Sequence, residues 1–495
     1  MSAVVGQADG GVCVVGAGLA GNLLVRQLVE AEPDAPVTLF GAEPVPSYNR
    51  VLLPDVLAGR SARDLVHLPQ PVGARLTVHT GVRVTGIDRD RKVLITSADG
   101  APGAPGARGA VGTVAYDTLV LATGANPVLP PLSGLRDPAR PDHLRAGVHT
   151  LRTLADLDRL QAAVPTARRA VVIGGGLLGV QCSRALAALG PDVELIHQGP
   201  HLLDHRIDAA AGAILARTLR SHGIEVHTEC RARAVTAADG SPGPGPAGGV
   251  RLADGMYLDC DLVLVACGAA PATGLAEAAG LAVRGGVVVD EYLRSVTDPS
   301  IHAIGDCCAP AASDPAPHSG AWPGLAAPAL AQAAFLAEYL ADRRSTELGR
   351  PLRPRAPRYQ SSANIVRLGA AGIDIAVLTA VGVVAGAGTD ATVKAIESVE
   401  GAGGSDDVGA LSAAGAAGAT GATTLNVPAQ RTVRLADPIS GTYRSVTVGG
   451  GRVLGSVLIG DVSAAANLSR LIDWPGPLPA DPLDLLTNPA EGAAA

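Results

Sequence analysis

Two triplets of glycine, Gly16-x-Gly18-x-x-Gly21 and Gly174-x-Gly176-x-x-Gly179, repeat one spacing within a single chain. Each follows a run of small apolar residues (VCVV, AVVI) and precedes an Ala/Leu-rich stretch (NLLVRQLVEA, VQCSRALAAL). At this spacing the first glycine permits a tight strand-to-helix turn. The second lets the backbone approach a pyrophosphate, and the third lets helix pack close to strand. The phosphates would lie at the helix N-terminus, where unpaired N–H groups and the helix dipole favour an anion. Two such loops imply two dinucleotides, and the economical pairing is a tightly held FAD facing a transient NADH or NADPH.

The residues downstream of each loop differ. The strand VTLF (37–40) ends where an acidic residue should grip the ribose hydroxyls, and Glu43 is the nearest candidate. After the second loop, the strand VELI runs into His197, so no carboxylate stands at the expected position. That change removes the usual repulsion of a 2′-phosphate and leans toward tolerance of NADPH; Arg206 is the nearest downstream arginine.

These loops need parallel sheets to carry them. Strand-like runs alternate with helical stretches up to about residue 340, the pattern of βαβ units in an α/β protein. Pro/Gly-rich breaks at 101–109 and 240–249 read as hairpin loops, and the break at 342–358 reads as an interdomain linker. Beyond it, short alternating runs such as YRSVTVGGGRVLGSVLIGD (443–461) suggest a small α+β domain on an antiparallel sheet. Residues 400–424 are low in complexity and read as a disordered insertion.

Composition narrows the class. A chain of 495 residues suggests about three domains. The net charge of −7, with no basic cluster, argues against nucleic acid and against a polybasic membrane patch. No uninterrupted apolar run reaches the roughly 18 residues of a membrane span, and the start MSAVVGQADG is not a secretory signal. The expectation is a cytoplasmic protein. Seven cysteines (13, 182, 230, 260, 267, 307, 308), none in a CxxC, read as free thiols.

Two further segments, YDTLVLATGANPVLP (116–130) and TDPSIHAIGDCCAP (297–310), complete an ordered set of four motifs. With them the chain resembles the two-dinucleotide-domain flavoprotein reductases, the glutathione-reductase-like (pyridine nucleotide-disulfide oxidoreductase) superfamily. The resemblance implies two Rossmann-like domains plus a small C-terminal α+β domain. The FAD-binding domain would cover 10–145 and 269–342, and the NAD(P)-binding domain 146–268. A linker would follow at 343–358, then the C-terminal domain at 359–495. It implies that Ala122, Thr123 and Gly124 close the FAD domain, that Asp306 accepts a hydrogen bond from the ribityl chain, and that Gly268 is a cofactor-binding residue.

The stretch PSYNRVLLPDVLAG (46–59) resembles a narrower group. These are the flavin-binding part of NAD(P)H nitrite reductase large subunits and the electron-transfer subunits of assimilatory nitrate reductase. This implies Arg50 against the FAD adenine end, and a helix starting near Pro328 with its N-terminus toward the flavin pyrimidine ring. The chain departs from the group at Ala42, at Gln181 in place of a glutamate near the nicotinamide, and at His197. It has no cysteine between Cys13 and Cys182, which disfavours thiol-based reductase chemistry. None follows Cys308, so thiolate ligands for iron–sulfur clusters are lacking.

The resulting expectation is hydride transfer between cofactors, with no protein acid or base and no metal. Electrons would then pass to a separate redox protein in nitrate or nitrite assimilation. A ferredoxin or rubredoxin reductase is the alternative enzyme, and a flavin-binding regulatory protein the non-enzymatic one. The C-terminal domain is expected to cap the flavin edge, serving the partner or a homodimer.

Overall fold

The computed structural model describes residues 11–98, 111–310 apart from 239 and 242, 325–348, 358–359, 364–370, 373–380, and 430–487 apart from 438, 473 and 475. The expected insertion at 400–424 and the break at 101–109 lie outside the described residues. Continuous apolar runs form the first sheet because both of its faces are covered. Its strands are parallel in the order Ile301–Ala303, Thr118–Leu121, Val12–Val15, Val37–Gly41, Leu76–Thr80. The helix α1 (Leu19–Ala31) buries Leu24 and Leu28 against Val14, Leu39 and Leu119 of this sheet.

The second sheet repeats the plan in the order Val148–His149, Leu262–Val265, Arg169–Ile173, Asp192–Ile196, Ile224–His227, again parallel. Helices α2 (Leu154–Ala163), α3 (Leu177–Ala188) and α4 (Ala209–Ser221) cover it, burying Leu157, Cys182, Leu186 and Leu215 in one cluster with Val172 and Leu195. The chain crosses between the two units twice, and the crossings pair: Ala125–Pro127 runs antiparallel to Ala269–Pro271. Leu135 and Leu144 already pack beside Val171 and Val263 of the second sheet, so residues ahead of 146 contribute to its core. After the second crossing, α5 (Ala326–Glu347) returns to lie alongside α1, with Leu336 and Leu340 in the first core.

Two boundaries differ from the sequence reading. Helix α5 continues past 343, where the linker is expected to begin; Arg343 Nε and Glu347 Oε1 pair at 3.2 Å one turn apart. The break at 240–249 is shorter than expected, because Ala247–Leu252 is a strand paired with Ala232–Ala237. A side chain at Gly249 would overlap the ring of Tyr257, whose hydroxyl donates to the Gly248 carbonyl at 3.2 Å. Gly249 admits an aromatic ring, and Gly248 admits the backbone at Ala238, instead of marking a loop.

The C-terminal sheet is antiparallel, in the order Asn364–Ala370, Ile373–Thr379, Arg452–Ile459, Thr442–Gly449, Gln430–Asp437. Side chains alternate between two cores. Ile373, Ile375, Tyr443 and Ile459 join the cluster that holds α3 and α4, whereas Ala376, Val446 and Leu458 meet α6 (Ala465–Ile472). Asp208 fixes the junction: one carboxylate oxygen caps α4 by accepting from Ala211 N at 3.0 Å, and the other accepts from Tyr443 and from Arg434 Nε. The third sheet therefore shares a core with the second unit, and with Leu53, Val56 and Leu57 of the first. Removing residues 359–495 would uncover that core, so it does not isolate the role of this sheet.

His302, fully buried in the edge strand Ile301–Ala303, lies 6.0 Å from the Tyr339 ring of α5. Burial pushes its pKa down to about 4, so the folded state keeps it neutral while the unfolded chain protonates near 6.5. The stabilising difference is complete above about pH 6.5 and is lost as pH falls toward 4, up to about 3 kcal/mol. His302→Phe is expected to flatten the fall of Tm between these pH values relative to wild type, measured by thermal denaturation. Parallel curves for the two proteins would show that His302 carries no such linkage.

Candidate functional site

The two glycine loops share one local geometry. Gly16 and Gly174 have φ of +118° and +114°, conformations that L side chains rarely adopt. A Cβ on either would overlap a carbonyl oxygen on the neighbouring strand, Ala122 O or Ala266 O. A Cβ on Gly21 or Gly179 would overlap the carbonyl of its own loop, Gly16 O or Gly174 O. Gly18 and Gly176 differ in kind: both are extended, cap α1 and α3, and a Cβ there meets nothing within 4 Å. Neither helix has a side-chain cap or an acidic residue in its first turn. Bare N-termini facing open space fit a pyrophosphate at both loops.

Along the first loop the structure assembles residues far apart in sequence. Glu43 Oε1 pairs with Arg50 Nη2 at 2.6 Å, and Glu43 Oε2 accepts from Tyr48 Oη at 2.7 Å. Tyr48 Oη in turn accepts from Leu154 N, the first residue of α2, at 3.1 Å. Arg50 Nη1 donates to the Arg152 carbonyl at 3.3 Å, and Arg152 Nη2 pairs with Asp306 Oδ2 at 2.7 Å. Arg152 Nε also holds Ala125 O at 3.1 Å, on the crossing strand.

Gly305 N donates to Gln332 Oε1 of α5 at 2.7 Å, which sets the turn that carries Asp306. Thr123 Oγ1 donates to Ala272 O at 2.8 Å, and Gly124 (φ +74°) accepts from Ala272 N at 2.9 Å. Pro328 is the third residue of α5, which begins at Ala326. Sequence reading missed Tyr48, Arg152 and Gln332. The Thr153-x-x-Asp156 capping box beside Arg152 was the one local signal, since it marks where α2 starts.

At the second loop Gln181 sits half-buried one turn into α3, and Gly268 (φ +95°) has an open face and accepts from Val128 N at 3.0 Å. The His197 ring is turned inward: its Nδ1 accepts from Gly175 N at 3.2 Å, and its Nε2 lies 3.3 Å from Asp204 Oδ1. Asp204, seven positions further on, thus brings a carboxylate to a place where the strand end offered none.

All seven cysteines are free. Burial pushes Cys13, Cys182 and Cys260 up to about 12 and raises Cys307 and Cys308 as well, so these thiols stay protonated near neutrality. Cys307 Sγ, next to Asp306, donates to Leu121 O at 3.4 Å.

The paired sheets and the twice-repeated loop define a two-dinucleotide oxidoreductase. The family described as pyridine nucleotide-disulphide oxidoreductase matches residues 10–335, and the chain belongs to it; its members are FAD- and NAD(P)H-binding oxidoreductases. A nitrite reductase [NAD(P)H] of Bacillus subtilis (strain 168) is 32% identical over 331 residues, 66% of this chain and 37% of that protein. The assimilatory nitrate reductase electron transfer subunit of the same organism is 30% identical over 366 residues, 73% of this chain and 42% of that protein. The chain thus spans about two fifths of the length of these relatives. A crystal structure of a covalent putidaredoxin reductase–putidaredoxin complex superposes with a TM-score of 0.70 at 22% identity, covering 97% of this chain and 96% of that one. Among the described residues, no helix is long and apolar enough to cross a membrane.

Gly18→Val is expected to yield folded, colourless protein. The added Cβ meets nothing within 4 Å and only a bare helix cap is replaced, a cost on the order of 1 kcal/mol, while the approach of a pyrophosphate is blocked. Full flavin content in the purified variant would remove the first loop from FAD binding. Arg152→Ala should raise the FAD dissociation constant about ten-fold, read by flavin fluorescence on dilution; an unchanged constant would confine Arg152 to joining the two units.

Proposed function

We propose that the chain is an NAD(P)H-dependent FAD oxidoreductase that passes electrons to a separate redox protein in nitrate or nitrite assimilation. The observation that carries this reading is the duplicated cradle, two bare helix N-termini behind two glycine loops. Gly16, Gly18 and Gly21 would hold the FAD pyrophosphate, and Glu43, fixed by Arg50 and Tyr48, the adenosine ribose. Thr123, Gly124, Arg152 and Asp306 would line the ribityl end, with the start of α5 at Pro328 toward the pyrimidine ring. Gly174, Gly176, Gly179, Gln181, His197 and Gly268 would seat the nicotinamide dinucleotide. When bound, the flavin supplies a two-electron acceptor for hydride from the nicotinamide. The protein's own contribution is position and charge.

Similarity to the nitrite reductase and to the nitrate reductase electron transfer subunit supports the nitrogen pathway. A ferredoxin or rubredoxin reductase is the second reading. It is supported by sequence similarity to a probable ferredoxin reductase of Castellaniella defragrans, 32% identical over 60% of this chain and 67% of that protein.

The test is anaerobic. NADH or NADPH should bleach the flavin spectrum of the purified chain and support ferricyanide reduction, leaving nitrate and nitrite untouched until a partner is added. Reoxidation by a nitrate reductase catalytic subunit, against reoxidation by a ferredoxin or a rubredoxin, separates the two readings. A spectrum unmoved by either nucleotide, or nitrite turnover by the chain alone, would overturn the proposal.

A further inference from the structure

The strand-end histidine leaves the second dinucleotide site without the usual acid, but the following turn is shaped to supply one. Leu203 adopts φ +54°, a left-handed conformation costly for a branched side chain, and its N–H donates to Gly175 O at 3.0 Å. This contact folds residues 199–205 back over the glycine loop. The carboxylate of Asp204 then occupies the space beside Gly199, where any Cβ would overlap its Oδ2. Only 16% of the Asp204 side chain is exposed.

The ring beside it is engaged elsewhere. His197 Nδ1 accepts the Gly175 N–H, and Nε2, although 3.3 Å from Asp204 Oδ1, makes no hydrogen bond to it. The Asp204 carboxylate therefore stands at the end of the second nucleotide strand, against Gly199, without a hydrogen bond from the ring. His205 Nε2 is 3.8 Å from the same oxygen but 90% exposed, so solvent screens it. His201 turns its Nδ1 to the Leu202 carbonyl at 3.1 Å. Arg206, the remaining nearby cation, is half-buried, with its backbone N–H folded into the turn on Leu203 O at 2.7 Å.

We infer that Asp204, held against Gly199 by the turn at Leu203, repels a 2′-phosphate and makes this site select NADH over NADPH. The inference rests on the reading that the Gly174–Gly179 loop seats the nicotinamide dinucleotide, and it reverses the tolerance that His197 alone suggests. A low-dielectric setting strengthens the effect, because a carboxylate that is mostly out of water acts on a dianionic phosphate with little screening.

Calorimetric titration of the full-length holoprotein with NAD+, NADP+, 5′-AMP and 2′,5′-ADP tests it without turnover. Wild type should bind NAD+ and 5′-AMP more tightly than their 2′-phosphorylated counterparts, and added salt should narrow the gap. Asp204→Asn should raise the NADP+ to NAD+ affinity ratio about 5-fold or more, with thermal stability confirming the fold. An unchanged ratio, equal loss of both ligands, or a wild-type preference for NADP+ abolished by Arg206→Gln would each overturn the inference. Failure of wild type to bind any of the four would overturn the two-dinucleotide reading beneath it.

Discussion

The contact on which both sites depend is the approach of a glycine loop to the strand beside it. The first glycine of each loop touches a carbonyl on the next strand, and the third touches the carbonyl of the first, with no room for one added carbon at either point. This double contact sets the depth at which α1 and α3 start relative to their sheets. It also leaves the second glycine facing outward into open space. The same backbone geometry, φ of +118° and +114°, recurs in two loops flanked by different sequences, so it reflects the turn itself and not its surroundings.

Around the first cradle, charge does the connecting. The Glu43–Arg50 pair, the Arg50 bond to the Arg152 backbone and the Arg152–Asp306 pair form one chain of contacts across the first unit, and Arg152 Nε adds the crossing strand. Each of these side chains is partly exposed, so the pairs contribute little to stability. Their effect is to hold carboxylates and guanidinium groups where cofactor polar groups would meet them. Preorganisation of this kind lowers the cost of ordering a site on binding.

The third sheet belongs to the same physical unit as the second. Its inner face completes a core begun by α3 and α4, and Asp208 serves both as helix cap and as acceptor for Tyr443 and Arg434. With α6 on its outer face, both surfaces of this sheet are covered by the chain's own residues. A single carboxylate thus ties a helix start to a distant strand, and movement of either would be felt by the other.

The sequence by itself determined the features whose causes are local. Glycine spacing dictated both loops and apolar runs dictated parallel strands, both from sterics over a few residues; the resemblance alone singled out Thr123, Gly124, Asp306 and Pro328. Tertiary structure alone decided which charges meet, because Arg152 and Asp306 stand 154 positions apart and Asp208 and Tyr443 stand 235 apart. It also decided that Gly249 lies under Tyr257 in a strand, and that the third sheet joins the second core. The end of the second nucleotide strand shows the division most plainly. Sequence places a histidine there, and only the backward turn at Leu203 brings Asp204 beside it. A side chain's type is written in the chain, but its neighbours are set by how the backbone folds back, and electrostatics acts through space.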